Sequence, residues 1–411
     1  MTSRKTPEQL KILPSIAMWG LISCIVGALA GTAAGLFLLG LDFVTNTRLQ
    51  NPWLLYLLPV AGILIVGLYL QFGRDLEKGN NLLIDEIHDP KQTIPLRLAP
   101  LVLVGTWLTH LFGGSAGREG TAIQMGGALA DQLTKIFRLD PERRKILLMS
   151  GLSAGFAAVF GTPLAGAVFG MEVLAIGRIR YNALFPCFIA AVIADRVCLA
   201  WGVHHTPYTI LNVPPLGLFN ISLAVLAGAC FGFCAFAFSW SSHRTTKLFQ
   251  TWIQNPLWRV AAGGVIIVIL ASVLQTDRYL GLGIPAIVES FQVSVPSYDF
   301  LMKMLFTIIT LSTGFKGGEV TPLFFIGATL GNALAWILPL PSSLLAGMGF
   351  VAVFAGAANV PLACTLMALE LFGPTSGVYT ALACVASYIF SGHAGIYHAQ
   401  RIEVAKHGQK N

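Results

Sequence analysis

The chain has 411 residues, of which 55% are hydrophobic and only 11% charged, with a mean hydropathy of +0.72; an ordinary soluble domain is about 25% charged. This composition excludes a soluble cytosolic enzyme, a disordered protein and a disulfide-stapled secreted domain, and leaves an all-α polytopic membrane protein. The net charge of +7 reads as a positive-inside bias, because no clustered basic face of the kind nucleic-acid binding needs is present.

The first apolar run, residues 12–41, carries no charge. As a helix it is about 45 Å long at roughly 1.5 Å per residue, which exceeds a bilayer core and is far too long for a cleavable signal. Residues 52–72 form a second span. Gly79-Asn80-Asn81-Leu82 then reads as a loop ending in an N-cap before a short helix. Residues 96–112 are apolar and run into Gly113-Gly114-Ser115-Ala116-Gly117-Arg118, after which Glu119 opens a helix over 121–133. Apolar stretches follow at 146–160, 163–176, 183–194, 215–240, 260–276, 300–315, 322–340, 344–354, 361–372 and 379–390. Several are shorter than the roughly 20 residues needed to cross a bilayer. With 43 glycines and 21 prolines, they read as broken helices meeting inside the membrane.

Basic residues at both ends, Arg4, Lys5 and Lys11 and then Arg401, Lys406 and Lys410, predict two cytoplasmic termini and a multi-pass protein of the cell inner membrane. From Val320 to Gln400 the only Asp, Glu, Lys or Arg is Glu370, so no soluble regulatory domain is expected there. The seven cysteines (Cys24, Cys187, Cys198, Cys230, Cys234, Cys364, Cys384) lie in or beside apolar runs without a CxxC, and the eight histidines have no metal-ligand spacing. No metal or cofactor is expected.

An internal repeat runs through the chain. Pro163-Leu164-Ala165 precedes Glu172 by the same nine residues that separate Pro361-Leu362-Ala363 from Glu370. Upstream, Gly117-Arg118-Glu119-Gly120-Thr121 and Gly317-Gly318-Glu319-Val320-Thr321 stand 44 and 42 residues before those prolines, counted from the glutamates. The spacing predicts one transmembrane domain over 1–411 built from two halves, about 12–205 and 215–400. Duplicated halves with interrupted helices are the usual build of a secondary transporter.

Three turns carry the candidate chemistry. Glu119 follows a glycine-rich turn and starts a helix whose free N–H groups attract an anion. Ionised, the carboxylate fills that anion site; protonated, it leaves. Glu319 precedes Thr321-Pro322, a cap and first-turn pair, and reads either as a second proton-linked group or as a helix-terminal acid. Gly79, Asn80 and Asn81 supply a third helix end. Tyr397 is an anion donor or an interfacial aromatic anchor. Glu172 and Glu370 read as proton waypoints or as membrane-surface residues. Two GxSxG strings, around Ser115 and Ser153, lie in Ala/Gly-rich membrane sequence where a hydrolase elbow has no sheet to stand on, and no P-loop is present.

These residues resemble the CLC family of anion channels and proton-coupled anion antiporters. Gly117-Arg118-Glu119-Gly120-Thr121 is similar to the family's GREGP signature with Thr in the Pro position, and Gly318-Glu319-Val320-Thr321-Pro322 to its GxFxP signature. Tyr397 falls where the family places its anion-binding tyrosine. Asn80 stands where the chloride branch has serine, and Val173 where chloride antiporters have an internal proton-accepting carboxylate. That combination resembles the fluoride/proton antiporter branch. The resemblance implies a homodimer of two pores with inverted halves that exports fluoride in exchange for protons and is not an enzyme. It makes Glu119 the gating glutamate, Glu319 a second proton- or anion-linked carboxylate, and Gly79, Asn80, Asn81, Gly117, Gly120, Val320, Thr321 and Tyr397 the anion-site neighbours. An Asn amide offers two donor hydrogens to a strongly hydrated fluoride where a serine offers one. A chloride/proton antiporter and a passive anion channel are the rival readings.

Overall fold

The computed structural model describes residues 8–407, with side chains from residue 12 onward. Arg4, Lys5, Lys410 and the Lys11 side chain, on which the orientation of the termini partly rests, lie outside the described residues. The first eight helices are α1 (Glu8–Gln50), α2 (Leu58–Phe72), α3 (Asn80–His88), α4 (Leu98–Leu111), α5 (Glu119–Ile136), α6 (Pro141–Phe160), α7 (Pro163–Glu172) and α8 (Leu184–Ala200). They are followed by α9 (Leu218–Trp252), α10 (Pro256–Leu274), α11 (Ile284–Gln292), α12 (Asp299–Thr313), α13 (Val320–Leu334), α14 (Ser342–Ala358), α15 (Pro361–Phe372) and α16 (Gly377–Phe390). Among the described residues, five stretches are long and apolar enough to cross a bilayer alone, within α1, α2, α8, α9 and α10 and their flanks. The protein is a polytopic membrane protein.

Ion pairs define two faces. On one, Arg97 meets Asp75 at 2.7 Å, Arg144 meets Glu86 at 2.9 Å, Arg401 meets Asp89 at 2.6 Å and Arg178 meets Glu403 at 2.5 Å. Arg401 and Arg178 hold the carboxyls of exposed Asp89 and half-buried Glu403 below their ordinary range. On the opposite face, Arg48 at the end of α1 meets Asp277 at 3.3 Å, and Arg278 binds Glu289 and Asp299 at 2.6 and 2.7 Å. Helix α5 runs toward the basic face, where Asp131 grips Arg144 at 2.7 Å. Helix α13 runs the other way, ending where Asn332 donates to the Ser290 and Val293 carbonyls at 2.7 and 2.8 Å.

Small residues let these interrupted helices cross at backbone contact. A Cβ on Gly155 of α6 would come 2.3 Å from the Ala122 carbonyl of α5, and one on Gly327 of α13 would come 1.9 Å from the Gly349 carbonyl of α14. Between the two pairs lies an aromatic stack. Phe156 packs on Phe169 with ring centroids 4.2 Å apart, Phe160 on Phe324 at 5.2 Å, and Phe324 on Phe350 at 4.0 Å. The rings fill the core where α6 and α7 meet α13 and α14.

Several elements differ from the sequence reading. The first helix runs to Gln50 and carries Asp42 and Arg48 inside it, because its end emerges at the opposite face. Helix α9 continues past Trp240 to Trp252. The apolar stretch 163–176 stops being helical at Glu172 and continues into a two-residue strand, β1 (Ala175–Ile176), paired in parallel with β2 (Arg401–Ile402).

Glu172 and Glu370 join the two parts of the repeat to each other. The α7 and α15 N-termini have no side-chain cap of their own. The Glu370 carboxylate accepts from Leu164 N–H at 2.8 Å and Ala165 N–H at 2.9 Å, while Glu172 accepts from Leu362 N–H at 3.0 Å and Ala363 N–H at 2.8 Å. Each glutamate thus caps the helix that matches its own in the other half, satisfying N–H groups that otherwise lack partners.

Candidate functional site: three helix ends around one carboxylate

The two signature turns meet as a two-bond antiparallel bridge. Gly117 N–H donates to the Gly318 carbonyl at 2.6 Å, and Gly318 N–H returns a bond to the Gly117 carbonyl at 2.7 Å. The N-termini of α5 and α13 therefore meet inside the protein, with their positive ends converging.

Glu119 is fully buried at this junction. Its Oε2 accepts from Arg118 N–H and Thr321 N–H, both at 3.1 Å, and its Oε1 accepts from the Thr321 hydroxyl. The carboxylate thus lies across the start of α13 as well as at the start of its own helix. The glycines make room for it: a Cβ on Gly117 would come 2.6 Å from Oε2, and one on Gly318 would come 3.0 Å from it.

A cavity of about 350 Å³ reaches this junction from the basic face. Gly79, Asn80, Asn81, Gly120, Glu319, Val320 and Tyr397 line it, and Lys78 and Arg259 lie on its wall. Six of the residues singled out in the sequence therefore share one chamber with Glu319, while Glu119, Gly117 and Thr321 form its closed end. The Thr321 side also faces a smaller cavity, of about 20 Å³, toward the opposite face. Glu119 stands between the two.

The structure settles which residues cap α3 and α13. Gly79, at φ 56°, is the N-cap of α3, and Asn80 is its first helical residue with no capping bond. A left-handed backbone suits glycine there. The Asn80 amide is consequently free: its buried Oδ1 has no partner among the described residues, and Asn80 lines the chamber. Asn81 does something else. Its Oδ1 accepts from Ala399 N–H at 3.0 Å, tying α3 to the segment that carries Tyr397. Thr321 likewise does not cap α13, whose N-cap is Glu319; its hydroxyl is given to Glu119. Tyr397 is a buried chamber residue rather than an interfacial anchor.

Three chamber residues escaped the sequence reading. Lys316 holds its ammonium 4.1 Å from the Tyr69 ring centroid, a cation–π contact. Gln124 lies on α5 one turn beyond Gly120, and His243 stacks on His398 with centroids 4.0 Å apart. A lysine at the end of an apolar stretch was the available signal for the first; the histidines are far apart in sequence and gave none. The two GxSxG serines are structural. Ser115 Oγ bonds Thr307 Oγ1 at 3.0 Å, and Ser153 Oγ donates to the Ala167 carbonyl at 3.3 Å.

Comparison with known proteins adds three findings. The family model described as voltage gated chloride channel matches residues 61–392. A chloride/fluoride channel protein of Pseudomonas syringae pv. tomato is 55% identical over 413 residues, covering 99% of this chain and 91% of its own; an H(+)/Cl(−) exchange transporter of Vibrio vulnificus is 28% identical over 383 residues, covering 85% and 81%. The crystal structure of a CLC-type fluoride/proton antiporter superposes with a TM-score of 0.91 at 35% identity, covering 97% of this chain and 100% of that one. A slow cyanobacterial Cl−/H+ antiporter shares the fold, with a TM-score of 0.80 at 20% identity over 92% of this chain and 96% of that one.

Proposed function

The chain belongs to the voltage-gated chloride channel (CLC) family, and from that premise we propose that it is an antiporter that exports fluoride from the cytoplasm in exchange for entering protons. The observation that carries this reading is the Glu119 carboxylate, held by one hydroxyl and two N–H groups at the meeting of two helix N-termini between two cavities.

Ionised, Glu119 occupies the donors an anion would use. Protonation removes the charge that makes those hydrogen bonds strong, so the side chain leaves and a free anion takes its place. One group then serves proton and anion in turn. Asn80 and Tyr397 are the chamber donors on the way to it, with Gly79, Asn81, Gly120 and Val320 shaping the wall. Glu319 is the second proton- or anion-linked carboxylate. The fluoride preference draws on Asn80, on Glu319 with Thr321, and on the fluoride named for two of the relatives. Residues 12–205 and 215–400 are the two inverted halves; the opposed directions of α5 and α13 and the reciprocal glutamate caps support this.

The basic face is the cytoplasmic one. The connections there carry Arg74, Lys78, Lys91, Arg97, Lys135, Arg143, Arg178 and Arg180, as the positive-inside rule requires. The C-terminal segment lies on that face through Arg401 and Asp89, and α1 begins on it because its other end meets Asp277. An inner-membrane homodimer is the assembly the family resemblance carries.

Reconstituted vesicles followed for fluoride and pH together test this. Fluoride flux should drive protons the other way, with chloride flux much smaller. Equal chloride and fluoride fluxes would establish the chloride/proton reading, and fluoride flux without proton movement would establish a passive channel, which the channel name of the Pseudomonas relative keeps in view.

A further inference from the structure

The small cavity beyond Glu119 is built from donors. Arg118, His205, Thr206 and Thr321 line it together with the rings of Phe324 and Phe350, and no carboxylate does. Its volume of about 20 Å³ holds one water-sized species. Two of its nitrogens, Arg118 Nε and His205 Nε2, are buried with no hydrogen-bond partner among the described residues. Buried polar atoms are hydrogen-bonded as a rule, so these two nitrogens mark a place for a polar occupant.

The chain makes room for this arrangement. His205 belongs to the connection between α8 and α9, and its ring lies against Gly161 at the end of α6. Gly161 sits at φ 71°, and a Cβ there would come 2.5 Å from His205 Cδ2. Burial and the nearby Arg118 charge hold the His205 imidazole down to about 4. At neutral pH it is therefore uncharged and offers a single N–H, while Arg118 supplies the charge. Thr321, which lines this cavity, is the residue whose hydroxyl grips Glu119.

We propose that Arg118, His205 and Thr321 form a separate anion site on the opposite face, a station for one fluoride between that face and the position Glu119 occupies. The site suits a hard, water-sized anion. An ion waiting there lies beside Thr321, whose single hydroxyl hydrogen is given to Glu119; departure of the carboxylate frees that donor to turn to the ion and draw it toward the vacated helix ends. The inference rests on the fluoride/proton reading above.

The test is the fluoride KM measured from each face of oriented proteoliposomes, for the wild type, His205→Leu and His205→Gln. His205→Leu should raise KM about fivefold, the loss of one hydrogen bond, at the opposite face only. The saturating rate and the proton-to-fluoride ratio should stay within twofold. His205→Gln, which restores an amide N–H, should recover the wild-type KM. An unchanged KM at the opposite face overturns the station, as does an equal rise at both faces with a lower saturating rate. Should His205→Leu fail to elute as folded protein, Arg118→Met provides the same one-face readout. A wild type without proton-coupled fluoride flux would instead overturn the reading beneath it, so the two failures are distinct.

Discussion

Glu119 and Glu319 hold matching places in the two halves, each just before or at the start of a helix that follows a glycine turn. Their surroundings are opposite. Glu119 is fully buried and accepts from two backbone N–H groups and a hydroxyl. Glu319 lines the large chamber, and its carboxylate accepts no hydrogen bond from the described residues. The backbone nearly repeats; the side chains do not. The cause is local: Thr321 offers its hydroxyl across to Glu119, and Gly117 and Gly318 leave the carboxylate a path. Glu119 takes one donor from its own turn, the Arg118 N–H, and two from across the junction, the Thr321 N–H and hydroxyl.

The comparison can be broken most completely at Gly117. Gly117→Ala would put a Cβ 2.6 Å from Glu119 Oε2 and 2.9 Å from Pro322 Cδ; fluoride flux in vesicles should fall to background while the protein still inserts. Glu119→Gln should keep anion flux but lose proton movement, because an amide has no titrating proton; a variant that still drives protons against fluoride would defeat the scheme. Thr321→Val keeps the N–H and deletes the hydroxyl. A hydrogen bond to a charged group is worth about 1.5–3 kcal/mol, so the fluoride KM should rise about tenfold or more with coupling retained. Glu319→Gln should lower proton turnover severalfold and leave thermal stability within about 0.5 kcal/mol, as expected of a side chain without partners. Glu370→Gln should leave the proton-to-fluoride ratio unchanged and cost about 1–3 kcal/mol of stability, read as unfolding in detergent, because it weakens a cap on α7 and touches no chamber residue.

Much of this site was legible in the chain itself. The glycine turns, the two glutamates before helices and their near-equal spacing identify the junction, because each depends on neighbours within a few residues. Contacts between the halves were not legible. Glu370 finds its N–H donors more than 200 residues away, at Leu164 and Ala165, and no periodicity reports such a partner. The sequence left open which residue of Gly79-Asn80-Asn81 caps α3; Gly79 takes that place with a positive φ, which frees the Asn80 amide that a capping role would have consumed. Asn81 and Asn80 are adjacent and alike in sequence; only the Ala399 N–H separates a strut from a chamber donor. The short pairing of Ala175–Ile176 with Arg401–Ile402 is too brief to leave an alternating pattern.

The Gly117–Gly318 bridge has a further consequence. Its two backbone bonds fasten the turns before α5 and α13 to each other beside Glu119, and the paired glutamate caps fasten α7 to α15 away from the chamber. A carrier that worked by rocking one half against the other would have to tear these seams open in every cycle. If the proposed exchange proceeds with the seams intact, the traffic of ion and proton falls to swinging side chains inside a stationary frame.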